Sequence, residues 1–221
     1  MRKLLGLVVA LCMTTGLALV PVSTALSDEF NVEGKYKRIT PARTLGETNK
    51  VEVIDVFWYG CPHCFSFLPH LQQWEATSMP DYVELRRVPA IFRDSWAVHA
   101  RAYYTARVLG MDHELHNTIF AAMHDEKRPL NTREELQRFF SEHGVDSTEF
   151  DTTYDSFTVD AMTRESQVMP RRWGVQATPS VIVNGRYLIS GRTAGSYADM
   201  IKVLEVLVAR EQQAMAAQAQ S

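Results

Sequence analysis

Val51-Glu52-Val53-Ile54-Asp55-Val56-Phe57-Trp58-Tyr59 leads through Gly60 into Cys61-Pro62-His63-Cys64. The run from Val51 to Tyr59 is apolar and rich in β-branched and aromatic residues, which predicts a buried strand. Beyond the cysteines, Leu68, Leu71 and Glu75 continue the face of Cys64 at helical spacing, with Phe65 and Trp74 beside it. This predicts a helix to about Thr77, kinked at Pro69. Two thiols therefore sit where a strand hands over to a helix. Residues at i and i+3 share a helix face, so the sulfurs can close a disulfide. The first lies among unpaired N–H groups at the positive end of the helix dipole, where a thiolate is favoured. The pattern points to dithiol–disulfide chemistry.

Upstream, Tyr36 to Thr40 reads as a short edge strand and Thr44 to Lys50 as a loop. Downstream, Pro80-Asp81 makes a turn and Tyr82 to Val88 alternates as a second strand beside the first, completing a strand–helix–strand unit. Helical patterning then takes over: Trp96 to Leu109, Glu114 to Met123, Thr132 to His143, and one or two helices from Ser147 to about Arg172. Thr132-Arg133-Glu134-Glu135 has capping-box form, and Asp146-Ser147 is a second start signal. Strand character returns at Ser180 to Val183, Asn184-Gly185 predicts a two-residue hairpin turn, and Arg186 to Ile189 runs back antiparallel. A last amphipathic helix is expected from Tyr197 to about Arg210. The chain divides into a leader 1–27, a sheet part 28–93, a helical insertion 94–172, a second sheet part 173–212 and a frayed Ala/Gln tail 213–221.

Arg2 and Lys3, the apolar run from Leu4 to Val22 and the small residues Ala25 and Ser27 form the pattern of a secretory signal peptide. Thr14, Thr15, Gly16 and Pro21 interrupt the run and weigh against a membrane anchor. Removing the leader takes the formal net charge from −3 to −5, with no basic tract left to suggest nucleic acid. It also discards Cys12, so Cys61 and Cys64 become the only thiols of an exported chain. A structural disulfide framework is excluded. In an oxidising compartment the pair can cycle with no third cysteine competing.

Zinc uses the same C-x-x-C spacing but asks for further ligands, and only scattered histidines remain, so no metal or other cofactor is expected. Cys61 is the expected nucleophile and Cys64 its buried partner. Pro62 suits the first helical position. His63 either supports the Cys61 thiolate or is a solvated helix-start residue. Asp55, mid-strand on the face of Val53 and Phe57, is expected to be buried with a raised pKa. It serves either as proton acceptor for Cys64 or as a structural acid paired with a neighbouring strand's Arg or Lys, with Glu84, Arg86 and Arg87 as possible members of that network. Direction of the chemistry rests on the thiolate. A thiol pKa lowered from about 8.5 to about 3.5 favours the reduced form by roughly 5 kcal/mol at pH 7, or about 100 mV. The remaining histidines receive no role, and Trp58, Trp74, Trp96 and Trp173 are read as core or groove-lining.

With Phe57-Trp58-Tyr59-Gly60-Cys61-Pro62-His63-Cys64, Gly174-Val175-Gln176-Ala177-Thr178-Pro179 and Val183-Asn184-Gly185 in this order, the chain resembles the DsbA family of bacterial periplasmic thiol:disulfide interchange proteins over nearly all of its length after the leader. The resemblance implies an α/β thioredoxin fold with an inserted all-helical subdomain. It implies a periplasmic, monomeric oxidase that passes its disulfide to reduced exported proteins through a mixed disulfide and is reoxidised by a DsbB-like membrane quinone reductase. The family's nucleophile, dipeptide, resolving cysteine, buried acid and cis-proline fall on Cys61, Pro62 with His63, Cys64, Asp55 and Pro179. A cis bond at Thr178-Pro179 would set Thr178 backbone groups opposite Cys61, where an extended substrate can pair as an added strand. The buried acid, often Glu in the family, is Asp55 here, and Thr178 stands where the best-known member has Val. A reductase or isomerase of the same fold, and a peptide-binding chaperone with incidental thiols, are the alternative functions.

Overall fold

The computed structural model describes residues 30–44 and 49–219, and the expected leader lies outside them. The predominantly apolar run ahead of the cysteines forms the strand buried at every position, β2 (Val51–Phe57), while β1 is the two-residue Lys37–Arg38. Cys61 caps α1 (Pro62–Thr77), which runs continuously through Pro69, and β3 (Val83–Pro89) returns parallel to β2 with Asp55 opposite Arg87. After the helices come β4 (Ser180–Val183) and β5 (Tyr187–Ser190), giving one five-stranded sheet in the order β1-β5-β4-β2-β3. Strand β2 is thus flanked by β3 and β4, and the sheet is covered on both faces, which is why both faces of the strand are apolar apart from the buried Glu52 and Asp55.

Between β3 and β4 a 3-10 turn at Asp94–Trp96 leads into α2 (Ala97–Val108), α3 (Asp112–His124), α4 (Arg133–Glu142), α5 (Ser147–Tyr154) and α6 (Phe157–Arg172). The capping box at Thr132 and Glu135 forms, with Glu135 N–H donating to Thr132 Oγ1 at 3.2 Å and Thr132 N–H to Glu135 Oε2 at 3.1 Å. Asp146 Oδ1 accepts from the Thr148 and Glu149 N–H groups and starts α5, and Ser156 Oγ accepts from Val159 and starts α6. Two caps so close together separate what patterning alone left as one or two helices.

Three elements differ from the sequence reading. The hairpin turn has Asn184 and Gly185 at φ 48° and 60°, and Arg186 N–H donates to the Val183 carbonyl, yet pairing resumes only at Tyr187, one residue later than a two-residue turn allows. At Gly185 a Cβ would lie 2.3 Å from the Arg43 backbone, so the turn needs glycine for space as well as for φ. A short helix, α7 (Gly191–Ala194), follows β5 on a Ser190 cap. Finally, α8 (Tyr197–Gln218) continues through most of the expected frayed tail, because Ala, Met and Gln are strong helix formers and Met215 keeps apolar contact with the core.

Three clusters make up the interior. Val53, Val181 and Val183 pack on Phe67, Leu71 and Trp74 of α1 and on Leu204 and Leu207 of α8. Ile54, Val56 and Ile182 meet Trp173 and Val175 on the opposite face. Phe57 and Tyr59 leave the sheet and enter the helical insertion among Tyr103, Ile119 and Phe120. Phe57 makes edge-on ring contacts with Tyr59, Tyr103 and His116 at 4.8–5.3 Å. Among the described residues no helix is long and apolar enough to cross a membrane. Phe57→Ala, which opens the joint between sheet and insertion, is expected to lower the unfolding free energy by about 3–5 kcal/mol in denaturant titrations.

Candidate active site

The end of β2 places the thiols. Cys61 has extended backbone (φ −93°, ψ 112°) and is the N-cap of α1, Pro62 fills the first helical position, and the Cys61 carbonyl accepts from the Cys64 and Phe65 N–H groups at 3.1 Å. Both cysteines are free thiols, 7% and 3% exposed. The loop before β4 approaches them from across the sheet. Its Thr178–Pro179 bond is cis, as is Thr40–Pro41. Cys61 Sγ lies 3.5 Å from the Thr178 carbonyl oxygen.

The two sulfurs are unequal. A hydrogen bond from the Cys64 thiol, helped by the Thr178 side chain and by the Cys64 and His63 backbone N–H groups, lowers the Cys61 pKa to about 5 against the opposing effect of burial. Burial and the proton shared with Cys61 push Cys64 well above the ordinary thiol range. At pH 7 a thiol with a pKa near 5 is about 99% thiolate, so the pair holds one proton, on Cys64.

His63 contributes through its backbone, and its ring Nδ1 lies 3.0 Å from the Tyr197 hydroxyl at the start of α8. Asp55 is 4% exposed, and burial raises its pKa to about 7, with Arg87 opposing and Glu75 adding to the rise. Arg87 is ion-paired with Glu75, and Asp55 Oδ1 has no hydrogen-bond partner among the described residues. Arg86 belongs to a separate group with Glu84 and Glu52. Of the sequence-derived candidates, Cys61, Cys64, His63 and Thr178 meet around the reacting sulfur, with Pro179 in the approaching loop. Asp55 stays on the strand, next to Arg87.

Sequence reasoning passed over the residues that hold the turn before Cys61. Trp58 Nε1–H donates to His99 Nδ1 at 2.8 Å, so His99 carries its proton on Nε2, which donates to the Leu130 carbonyl at 3.1 Å. Trp58 also stacks on Trp96, centroids 3.8 Å apart. The Tyr59 hydroxyl and His116 Nδ1 are hydrogen-bonded at 3.2 Å, and His124 Nε2 donates to the Tyr59 carbonyl at 2.8 Å. Burial lowers the pKa of His99 to about 4 and that of His116 well below its ordinary value, so both rings are neutral, and His99 accepts from Trp58. A Cβ on Gly60 would stand 2.3 Å from the Trp58 indole, so this turn admits no side chain there. A groove of about 660 Å³ opens beside Cys61, lined by His63, Thr178, Pro179 and Tyr197 among others.

A family model described as "DSBA-like thioredoxin domain" matches residues 86–197. The thiol:disulfide interchange protein DsbA of Pseudomonas aeruginosa is 32% identical over 190 residues, 86% of this chain and 90% of the relative. That of Azotobacter vinelandii is 32% identical over 216 residues, 97% of this chain and 100% of the relative. The crystal structure of P. aeruginosa DsbA superposes with a TM-score of 0.78 at 31% identity, covering 85% of this chain and 97% of that one.

The unequal thiols set two expectations. Alkylation of reduced protein should follow a thiolate with a midpoint near pH 5, and Cys64→Ala should move that midpoint upward by removing the donated hydrogen bond. Because the folded pKa of Cys61 lies below its unfolded value, its contribution to the reduced form is absent below about pH 5 and grows as pH rises toward the ordinary thiol range. Unfolding titrations of the reduced and disulfide forms should therefore separate in favour of the reduced form between about pH 5 and pH 8. Gly60→Ala should displace Trp58 and cost about 1–3 kcal/mol, read in the same titrations.

Proposed function

From its membership of the DsbA family of thioredoxin-fold thiol:disulfide oxidoreductases, to which this chain belongs, we propose that it is a disulfide donor to newly exported proteins in the periplasm. The observation that carries the direction is the low Cys61 pKa against the high one of Cys64. Stabilising the Cys61 thiolate stabilises the reduced form, so the disulfide tends to be given away rather than kept.

In the disulfide form a substrate thiolate attacks Cys61 Sγ, the S–S bond breaks, and the electron pair leaves on Cys64. A substrate–Cys61 mixed disulfide forms, and Cys64 takes up a proton. A second substrate thiolate then attacks the substrate sulfur and expels Cys61 as the stabilised thiolate. The substrate dithiol has become a disulfide, and Cys61 and Cys64 hold the two electrons. Asp55, buried with a pKa near 7 and one unpartnered oxygen, is suited to exchange the proton that Cys64 gains and loses. Thr178 lends its side chain to the thiolate, and its carbonyl faces the sulfur, where the backbone of an extended substrate can pair. Reoxidation of the dithiol falls to a DsbB-like membrane quinone reductase. One chain carries every group that the transfer to substrate uses, so a monomer suffices for that step.

Oxidation of a reduced, unfolded test protein should be lost in Cys61→Ser, whereas Cys64→Ser incubated with the oxidised test protein should accumulate the mixed disulfide, because the Cys61 thiolate opens a substrate disulfide and no Cys64 thiol is left to release it, seen as a reductant-sensitive adduct by mass. Equilibration with glutathione should give a potential well above that of thioredoxin. A value near about −270 mV would return the protein to the reductases. Asp55→Asn should slow turnover by up to about 100-fold and remove an inflection near pH 7 from the rate profile. An unchanged profile would leave Asp55 a structural partner of Arg87.

A further inference from the structure

The groove beside Cys61 has an unusual charge for this chain. The formal net charge is −3, yet among the described residues no carboxylate lines the groove. Its two permanent cations among the described residues are Lys37 on β1 and Arg192 in α7. Elsewhere most arginines are spent on neighbours: Arg87 on Glu75, Arg101 on Asp160, Arg128 on Glu142, Arg133 on Asp151. Lys37 and Arg192 are exposed, and among the described residues neither has an ion-pair partner. The groove is continuous with the reacting centre, because His63 and Thr178 belong to both.

We propose that Lys37 and Arg192 form a subsite for an acidic side chain of the polypeptide being oxidised. This rests on the disulfide-donor reading and adds a substrate preference to it. The sheet order sets the spacing. Lys37 is on the outermost strand, three strand intervals from β2, whose end carries Cys61. At about 4.8 Å per interval that is roughly 14 Å, which an extended chain spans in about four residues. The preferred substrate carries Asp or Glu about four residues from its reacting cysteine. Two exposed cations act through weak, screened attractions, so the effect is a preference and not an absolute requirement.

The test uses single-cysteine peptides with Glu, Gln or Lys about four residues to either side of the cysteine. Two peptide thiols reduce one protein disulfide and leave as a peptide disulfide, and each rate is normalised to that of the same peptide with glutathione disulfide. On the wild-type protein at low salt the Glu peptide should react about 3–10-fold faster than the Lys peptide. The ratio should fall toward one in molar salt, where the screening length is about 3 Å. In Lys37→Glu with Arg192→Glu it should invert. Equal Glu and Lys rates on the wild type at low salt, or a ratio indifferent to salt, overturn the proposal. The salt series decides even if the double variant does not fold. Failure of the Gln peptide to reduce the protein at all would instead sink the donor reading, and the charge preference would then be decided by fluorescence-anisotropy affinities of the same peptides with Ser for Cys.

Discussion

The burial of β2 on both faces governs the rest of this molecule. Seven consecutive buried positions leave the strand no freedom of register, because a slip of one residue would drive Asp55 into the Trp173 cluster and Val56 into the α1 face. A fixed register fixes where the strand ends, and that end sets Cys61 at the cap of α1. From there the chemistry is short-range: a thiol donor one turn along, backbone N–H groups at the helix start, and the Thr178 loop at 3.5 Å. The inequality of the sulfurs comes from this geometry: hydrogen bonds lower Cys61, while burial, the shared proton and the charge on Cys61 raise Cys64. The largest causes acting on Cys61 are hydrogen bonds and burial.

The helical insertion has a structural role at the site as well as a volume to fill. Phe57 and Tyr59 anchor it to the sheet, and His99, His116 and His124 hold the side chains and backbone of Trp58 and Tyr59 just ahead of the first cysteine. The sheet supplies the direction of approach and the insertion supplies the brace. Neither half of the molecule positions Cys61 alone.

The legible part of this architecture was local. The apolar run, the Pro at the first helical position, the capping box at Thr132 and the Asn-Gly turn each state their structure within a few neighbouring residues. The cysteine pair and the cis bond were legible through the motif and the family resemblance that carries it. What stayed hidden spans long separations. Trp58 finds His99 and Tyr59 finds His116 across 41 and 57 residues, and His63 finds Tyr197 across 134. A lone histidine or tyrosine carries no sign in the sequence that it will meet such a partner. The same holds for Asp55, whose register against Arg87 could be decided only once β3 was aligned. The helix through Gln218 was missed for another reason: tail composition suggested fraying, but Ala and Gln favour helix and Met215 gives it a surface to lie on.

The two outer strands of the sheet carry a consequence of their own. β1 is only two residues long and is made of Lys37 and Arg38, while β3 bears Arg86 and Arg87 and ends in Pro89. Short length, cationic side chains and proline are the features by which sheet edges refuse further strands. An exported chain that has not yet folded exposes many lengths of strand, and a protein that handles such chains is always at risk of having them add to its rims and seed aggregates. Here neither rim offers a long bare edge, and on the disulfide-donor reading the loop opposite Cys61 is the place where an extended chain would align, so that adhesion and reaction would coincide.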